Sequence, residues 1–137
     1  MNQYQDKELT HSIIAAAIEV HKALGPGLLE AAYKTCLMMA FDEKGLRYRQ
    51  EMSAPIVFKT RRIDGGFRVD FLVEDRIVVE LKAIEKIHPL HKAQLLTYLR
   101  LLNKQVGLLI NFNVSVLKNG ISRCVLDVPD KVALEML

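Results

Sequence analysis

Cysteine is scarce in this chain. Only Cys36 and Cys124 occur among 137 residues. Two cysteines exclude a disulfide scaffold, and they lack the paired spacing of a zinc site. A reducing cytoplasm is the simplest setting. Proline and glycine are also few, at four and seven, while half of the residues are apolar. That combination argues against disorder and against a fibrous chain. No apolar run approaches the length of a membrane span, and the opening MNQYQDKELT is too polar for a signal peptide. An excess of charge of one sign is nearly absent as well. Nineteen Lys and Arg against 16 Asp and Glu leave a formal net of +3, which by itself names no partner. What is present suffices for one compact domain, residues 1–137, with a core of its own.

The charge is unevenly spread. Arg47, Arg49, Lys59, Arg61, Arg62 and Arg68 face only Glu51 and Asp64 within residues 47–68, so that segment carries +4 and the remainder −1. Basic residues on a strand edge discourage edge-to-edge pairing, which accounts for the segment without a ligand. A phosphate-facing surface is the sharper reading.

The apolar periodicity places a helix over residues 6–24, where Leu9, Ile13, Ala16, Val20 and Leu24 recur at helical spacing. Gly25-Pro26-Gly27 stops it. A second helix follows over residues 28–44, with Leu29, Tyr33, Leu37 and Ala40-Phe41 as its stripe and Gly45 as its end. Strands are expected at residues 54–60, 67–73 and 77–83. Ile63-Asp64-Gly65-Gly66 reads as a turn, and Glu74-Asp75-Arg76 as the loop of a hairpin. A third helix starts at Pro89 and runs to Asn103. A buried strand over residues 106–112, a turn at Asn119-Gly120, a strand over residues 121–126 and a helical turn within residues 129–137 complete the chain. The expected fold class is α/β (α+β): a mixed central β-sheet flanked by helices, with an N-terminal helix pair. The strand–helix–strand part supplies one parallel pair. Repeats, low-complexity segments and linkers are absent from the sequence.

Three charges sit in otherwise apolar strands: Asp70 in one, Glu80 and Lys82 in the next. With Val73 facing Ile77 across the loop, Asp70 lies opposite Glu80, and Lys82 shares their face. Two facing carboxylates repel unless a cation lies between them, and hard oxygen donors suit Mg²⁺ or Mn²⁺. A salt bridge from Lys82 that fixes the strand register accounts for the same residues. Glu30 stands in the first turn of its helix, where the dipole favours a carboxylate, and Tyr33 lies one turn on, close enough to hold it or simply to pack. His91, Gln94 and Tyr98 share one face of the third helix. His88 and His91 point only weakly to zinc, with no further ligand nearby. Met38 and Met39 offer a face for a homodimer or another protein partner, although such a stripe is usually core.

The stretches VHKALGPGLLEAAY, GGFRVDFLVEDRIVVELKAIEKIHPLHKAQLLTYL and GLLINFN, in that order, resemble the small bacterial GxxExxY family of the PD-(D/E)XK nuclease superfamily. The resemblance spans residues 9–126. It implies a restriction-endonuclease-like core and a Mg²⁺- or Mn²⁺-dependent phosphodiesterase, either endo- or exonuclease, acting on nucleic acid and most readily on DNA. By the same resemblance Asp70 is the first acidic ligand, with Val69 where that motif often has proline. Glu80 and Lys82 form the E-x-K motif, Glu30 assists the metal, and Gln94 and Tyr98 form a Q-x-x-x-Y element. The implied metal ligands are Asp70, Glu80, the Leu81 carbonyl and Glu30, with Lys82 assisting the attacking water. The intact Asp70, Glu80 and Lys82 set favours catalysis. The alternative is a nuclease-fold protein that binds nucleic acid or a protein partner without cleaving.

Overall fold

The computed structural model describes residues 3–126. Helix α1 spans Gln3–Leu24 and α2 spans Glu30–Glu43. Strands β1 (Tyr48–Phe58), β2 (Arg61–Val73) and β3 (Ile77–Lys82) follow, then α3 (Pro89–Leu102), β4 (Val106–Asn111), a 3₁₀ turn (Leu117–Gly120) and β5 (Ile121–Val125). The sheet order is β1-β2-β3-β4-β5. β3 and β4 are parallel, joined through α3, and every other pair is antiparallel, as expected for a mixed sheet. The turn expected within residues 129–137 lies outside the described residues. Among the described residues, no helix is long and apolar enough to cross a membrane.

The sheet has a helical layer on each face. Leu9, Ile13, Ala17 and Val20 of α1 and Tyr33, Leu37 and Phe41 of α2 bury against Phe71, Val73, Val79, Leu81 and Ile110. On the other face Leu95, Tyr98 and Leu99 of α3 cover Leu72, Val78 and Leu109. β3 and β4 are therefore covered on both sides. That is why they read as continuous apolar runs instead of alternating ones.

Three expectations need correction. Helix α2 begins at Glu30, not Leu28, and Leu29 is its extended, exposed N-cap and no part of the buried stripe. β1 starts at Tyr48, well before residue 54. Ile63-Asp64-Gly65-Gly66 is not a turn. It lies inside β2, and the chain reverses at Lys59-Thr60. The glycines serve a register shift: Ala54 pairs with Phe67 but Ile56 with Ile63, so β2 carries extra residues there. A Cβ on Gly66 would stand 2.8 Å from Ile56 Cδ1, the movable end of that side chain, so glycine lets the strands cross closely without shifting Ile56.

Gly120 is tighter still. A Cβ there would overlap the Asn111 carbonyl oxygen, which is backbone and cannot swing aside. Gly120→Ala is expected to lower stability by about 2–3 kcal/mol, roughly 10 °C in Tm. A thermal melt of the variant checks this, and an unchanged Tm would contradict it.

Candidate functional site

The hairpin register is as expected near its loop. Val73 pairs with Ile77, Leu72 with Val78 and Phe71 with Val79. The ladder then stops, one pair short of Asp70 and Glu80. Alternation breaks at the same level. Phe71 and Val73 pack toward α1 and α2, whereas Val69 packs under α3 and Phe67 lies 5.2 Å from the Tyr98 ring. β1 does the same, with Tyr48 on the α1/α2 side and Met52 on the α3 side. Glu51, opposite Asp70 in register, has φ +51°. The β1–β2 ribbon therefore changes face at Glu51 and Asp70, and β2 leaves β3 there.

Carboxylates fill the gap left between the strands. The Asp70 N–H donates to Glu80 Oε1 at 2.7 Å, and the Leu81 N–H donates to Asp70 Oδ2 at 2.8 Å. Side chains thus replace the missing ladder bonds reciprocally, and the two carboxylates are held face to face. Glu80 is only 8% exposed. Burial first, and then the Asp70 charge, push its carboxyl up to about 8; the Asp70 amide and Lys82 pull the other way, and Glu30 adds to the rise.

Glu30 stands at the first turn of α2. Desolvation, then the Asp70 charge, raise its carboxyl above the usual range, against Lys82 and Lys34. Tyr33 does not hold Glu30. Its buried hydroxyl donates to the Gly25 carbonyl at 2.6 Å and accepts the Leu28 N–H at 3.1 Å, and its ring stacks on Phe112 at 4.5 Å. It closes the loop in which Gly25 and Gly27 have positive φ, and so fixes where α2 begins. Glu30 is positioned by Tyr33 through that loop.

Lys34 was not singled out by the sequence. It pairs with Glu51 and lies 3.8 Å from Asp70 Oδ1. The only signal was its place one helical turn after Glu30. Among the described residues, the ion pairs do not join Lys82 to either carboxylate, so the register-fixing salt bridge is not what this structure contains. Lys82 is half-buried on the Glu80 face of β3. Asn111, opposite Lys82 on β4, was also missed. Its buried amide accepts the Ile84 N–H at 3.1 Å and donates to the Ile84 carbonyl at 2.9 Å. That clamp fixes the chain just beyond Lys82.

α3 closes the site from above. Burial first, then the Glu80 and Asp70 charges, raise the Tyr98 hydroxyl pKa, and burial first, then Lys82 and His88, lower that of His91. Gln94 lies half-buried between them on the same helical face. His88 and His91 form no zinc site: the His88 N–H donates to His91 Nδ1 at 3.0 Å and caps α3. The basic residues do not gather into one patch. Arg47 and Arg49 lie near the β2–β3 loop, with Arg47 Nε 3.5 Å from Glu74, and Lys59, Arg61 and Arg62 lie at the opposite tip of the ribbon. Arg68 alone stands beside Asp70. Met38 packs on the core, and only Met39 is exposed.

The donor set fits a hard divalent cation. Asp70 Oδ1 and Glu80 Oε2 accept no backbone bond, and a cation would offset the repulsion that raises Glu80. Among the described residues no three His, Cys, Asp or Glu side chains form a ready metal cluster, and Asp70 and Glu80 are the carboxylates brought face to face. Comparison with curated proteins and with solved structures returns no match. A family model for the PD-(D/E)XK nuclease superfamily matches residues 7–124, with Glu30, Asp70, Glu80, Lys82 and α3 inside the match. The chain belongs to the PD-(D/E)XK nuclease superfamily.

Proposed function

We propose that this protein is a divalent-metal-dependent nuclease of GxxExxY type that hydrolyses phosphodiester bonds, with DNA as its substrate and Mg²⁺ or Mn²⁺ as its metal. One observation carries the reading. Two reciprocally locked carboxylates fill the splay between β2 and β3 beside Lys82, which among the described residues forms no ion pair with either. A purely structural cluster has no reason to keep Glu80 buried at such electrostatic cost.

Asp70 and Glu80 would hold the metal, joined by the Leu81 carbonyl, and Glu30 would reach it through water. Once bound, a divalent cation supplies Lewis-acid polarisation of a phosphoryl oxygen and a more acidic water. The Lys82 ammonium neutralises charge developing on the phosphoryl oxygens and orients the attacking water. Gln94 and Tyr98, on the α3 face above, orient Lys82 and the scissile strand. Arg47, Arg49, Lys59, Arg61, Arg62 and Arg68 contact phosphates along the ribbon, which adds affinity without sequence readout.

Purified protein incubated with single-stranded, duplex and branched DNA and with RNA tests this. Cleavage is expected in Mg²⁺ or Mn²⁺, none in EDTA, and a loss of about a thousandfold or more in Glu80→Ala and in Lys82→Ala. Equal cleavage by the parent and Glu80→Ala would overturn the assignment. Nucleic-acid binding without cleavage in any metal would favour the non-catalytic alternative.

A further inference from the structure

Beyond Asp70 the β1–β2 ribbon has no β3 partner, and its tip carries apolar side chains into solvent. Phe58 is 65% exposed, Val57 62% and Ile63 50%. Single exposed apolar residues need no explanation, but three on one unsupported ribbon tip do. Phe58 pairs with Arg61, and Ile56 with Ile63, so Phe58, Arg61 and Ile63 share one face. Lys59 Nζ lies 5.5 Å from the Phe58 ring centroid, and Val57 pairs with Arg62 on the opposite face. Lys59 and Arg61 thus flank an exposed ring, while Arg62, on the other face, is engaged by Asp64 at 3.0 Å.

An exposed aromatic ring flanked by two cations matches the chemistry of an unpaired nucleotide. The base face stacks on the ring, and the flanking phosphates take the cations. A duplex hides its base faces and offers the ring nothing comparable. We propose that the ribbon tip is a second nucleic-acid contact that stacks an unpaired base on Phe58, with Lys59 and Arg61 on the adjacent phosphates. This rests on the nuclease reading and narrows it: the substrate class becomes nucleic acid with a single-stranded segment that reaches the ribbon tip, seven strand residues or roughly 20 Å beyond Glu51.

Fluorescence anisotropy in EDTA, where no cleavage is expected, reads binding separately from catalysis. Phe58→Ala is expected to weaken a labelled single-stranded DNA oligonucleotide about tenfold or more and a blunt duplex less than about twofold, with Phe58→Trp restoring the single-strand affinity. The double variant Lys59→Ala/Arg61→Ala is expected to weaken both ligands and to flatten the salt dependence by roughly one unit in log–log slope. Unchanged single-strand affinity in Phe58→Ala, or an equal loss on duplex, would overturn the proposal. So would a variant whose single change is loss of self-association in sedimentation, which would make the tip a contact between copies. Cleavage in Mg²⁺ is scored separately. Phe58-dependent binding without cleavage sustains the ribbon contact and removes the nuclease reading, whereas cleavage with Phe58-independent binding does the reverse.

Discussion

Glu80→Gln is expected to melt about 10 °C above the parent protein in EDTA at pH 8, and to cleave nothing. The reason is the position of Glu80. Its carboxyl is pushed from the ordinary 4.5 to about 8 by burial and by Asp70. Below pH 4.5 it is protonated both folded and unfolded. Between 4.5 and about 8 the folded protein holds the proton while the unfolded chain releases it. The folded state therefore binds more protons in that window, and its stability falls as pH rises through it, flattening above pH 8. The loss is on the order of 3–5 kcal/mol. Glutamine mimics the neutral carboxyl, can still accept the Asp70 N–H and does not titrate. Its stability curve should stay flat where the parent's declines, and melts from pH 4 to pH 9 check this. A Gln variant less stable than the parent at pH 8 would mean that Lys82 or Lys34 holds Glu80 charged, and that the cluster is structural.

Asn111→Ala is expected to cost about 2–4 kcal/mol and to lower cleavage by roughly a hundredfold even where the variant is folded. The side chain makes three hydrogen bonds, to Ile84 N–H, the Ile84 carbonyl and Asn113 N–H. Removing it orphans half-buried backbone groups and frees the segment after Lys82. Asn111→Asp keeps the acceptor and loses the donor, so it should fall between the two. A thermal melt and a cleavage assay below the melting range separate the stability loss from the positioning loss. An Asn111→Ala protein with parental Tm would contradict the clamp.

Much of this was legible because it is local. The three-residue loop Glu74-Asp75-Arg76 set the hairpin register as far as Phe71 and Val79, which brings Asp70 and Glu80 to the same level. The face shared by His91, Gln94 and Tyr98 followed from helical spacing alone. What was not legible depends on residues far apart in sequence. Gly65-Gly66 carries a turn's composition, but both lie inside β2, where Gly66 packs against Ile56 of the neighbouring strand. The face change at Asp70 involves Glu51 and Lys34, each from another element. Tyr33 looked like a partner for Glu30 by spacing, yet its hydroxyl goes to the preceding loop, with its ring stacked on Phe112 just after β4. Asn111 sits in a run that reads as apolar, and only the parallel pairing with β3 puts it opposite Lys82 and beside Ile84.

The central claim is that Asp70 and Glu80 together bind a divalent cation. Calorimetric titration of Mn²⁺ into the metal-free protein, repeated with Glu80→Gln, tests it most directly. The account predicts saturable binding by the parent, with a matching rise in Tm, and loss of both in the variant. Mn²⁺ binding that is absent from the parent, or that survives unchanged in Glu80→Gln, would contradict it.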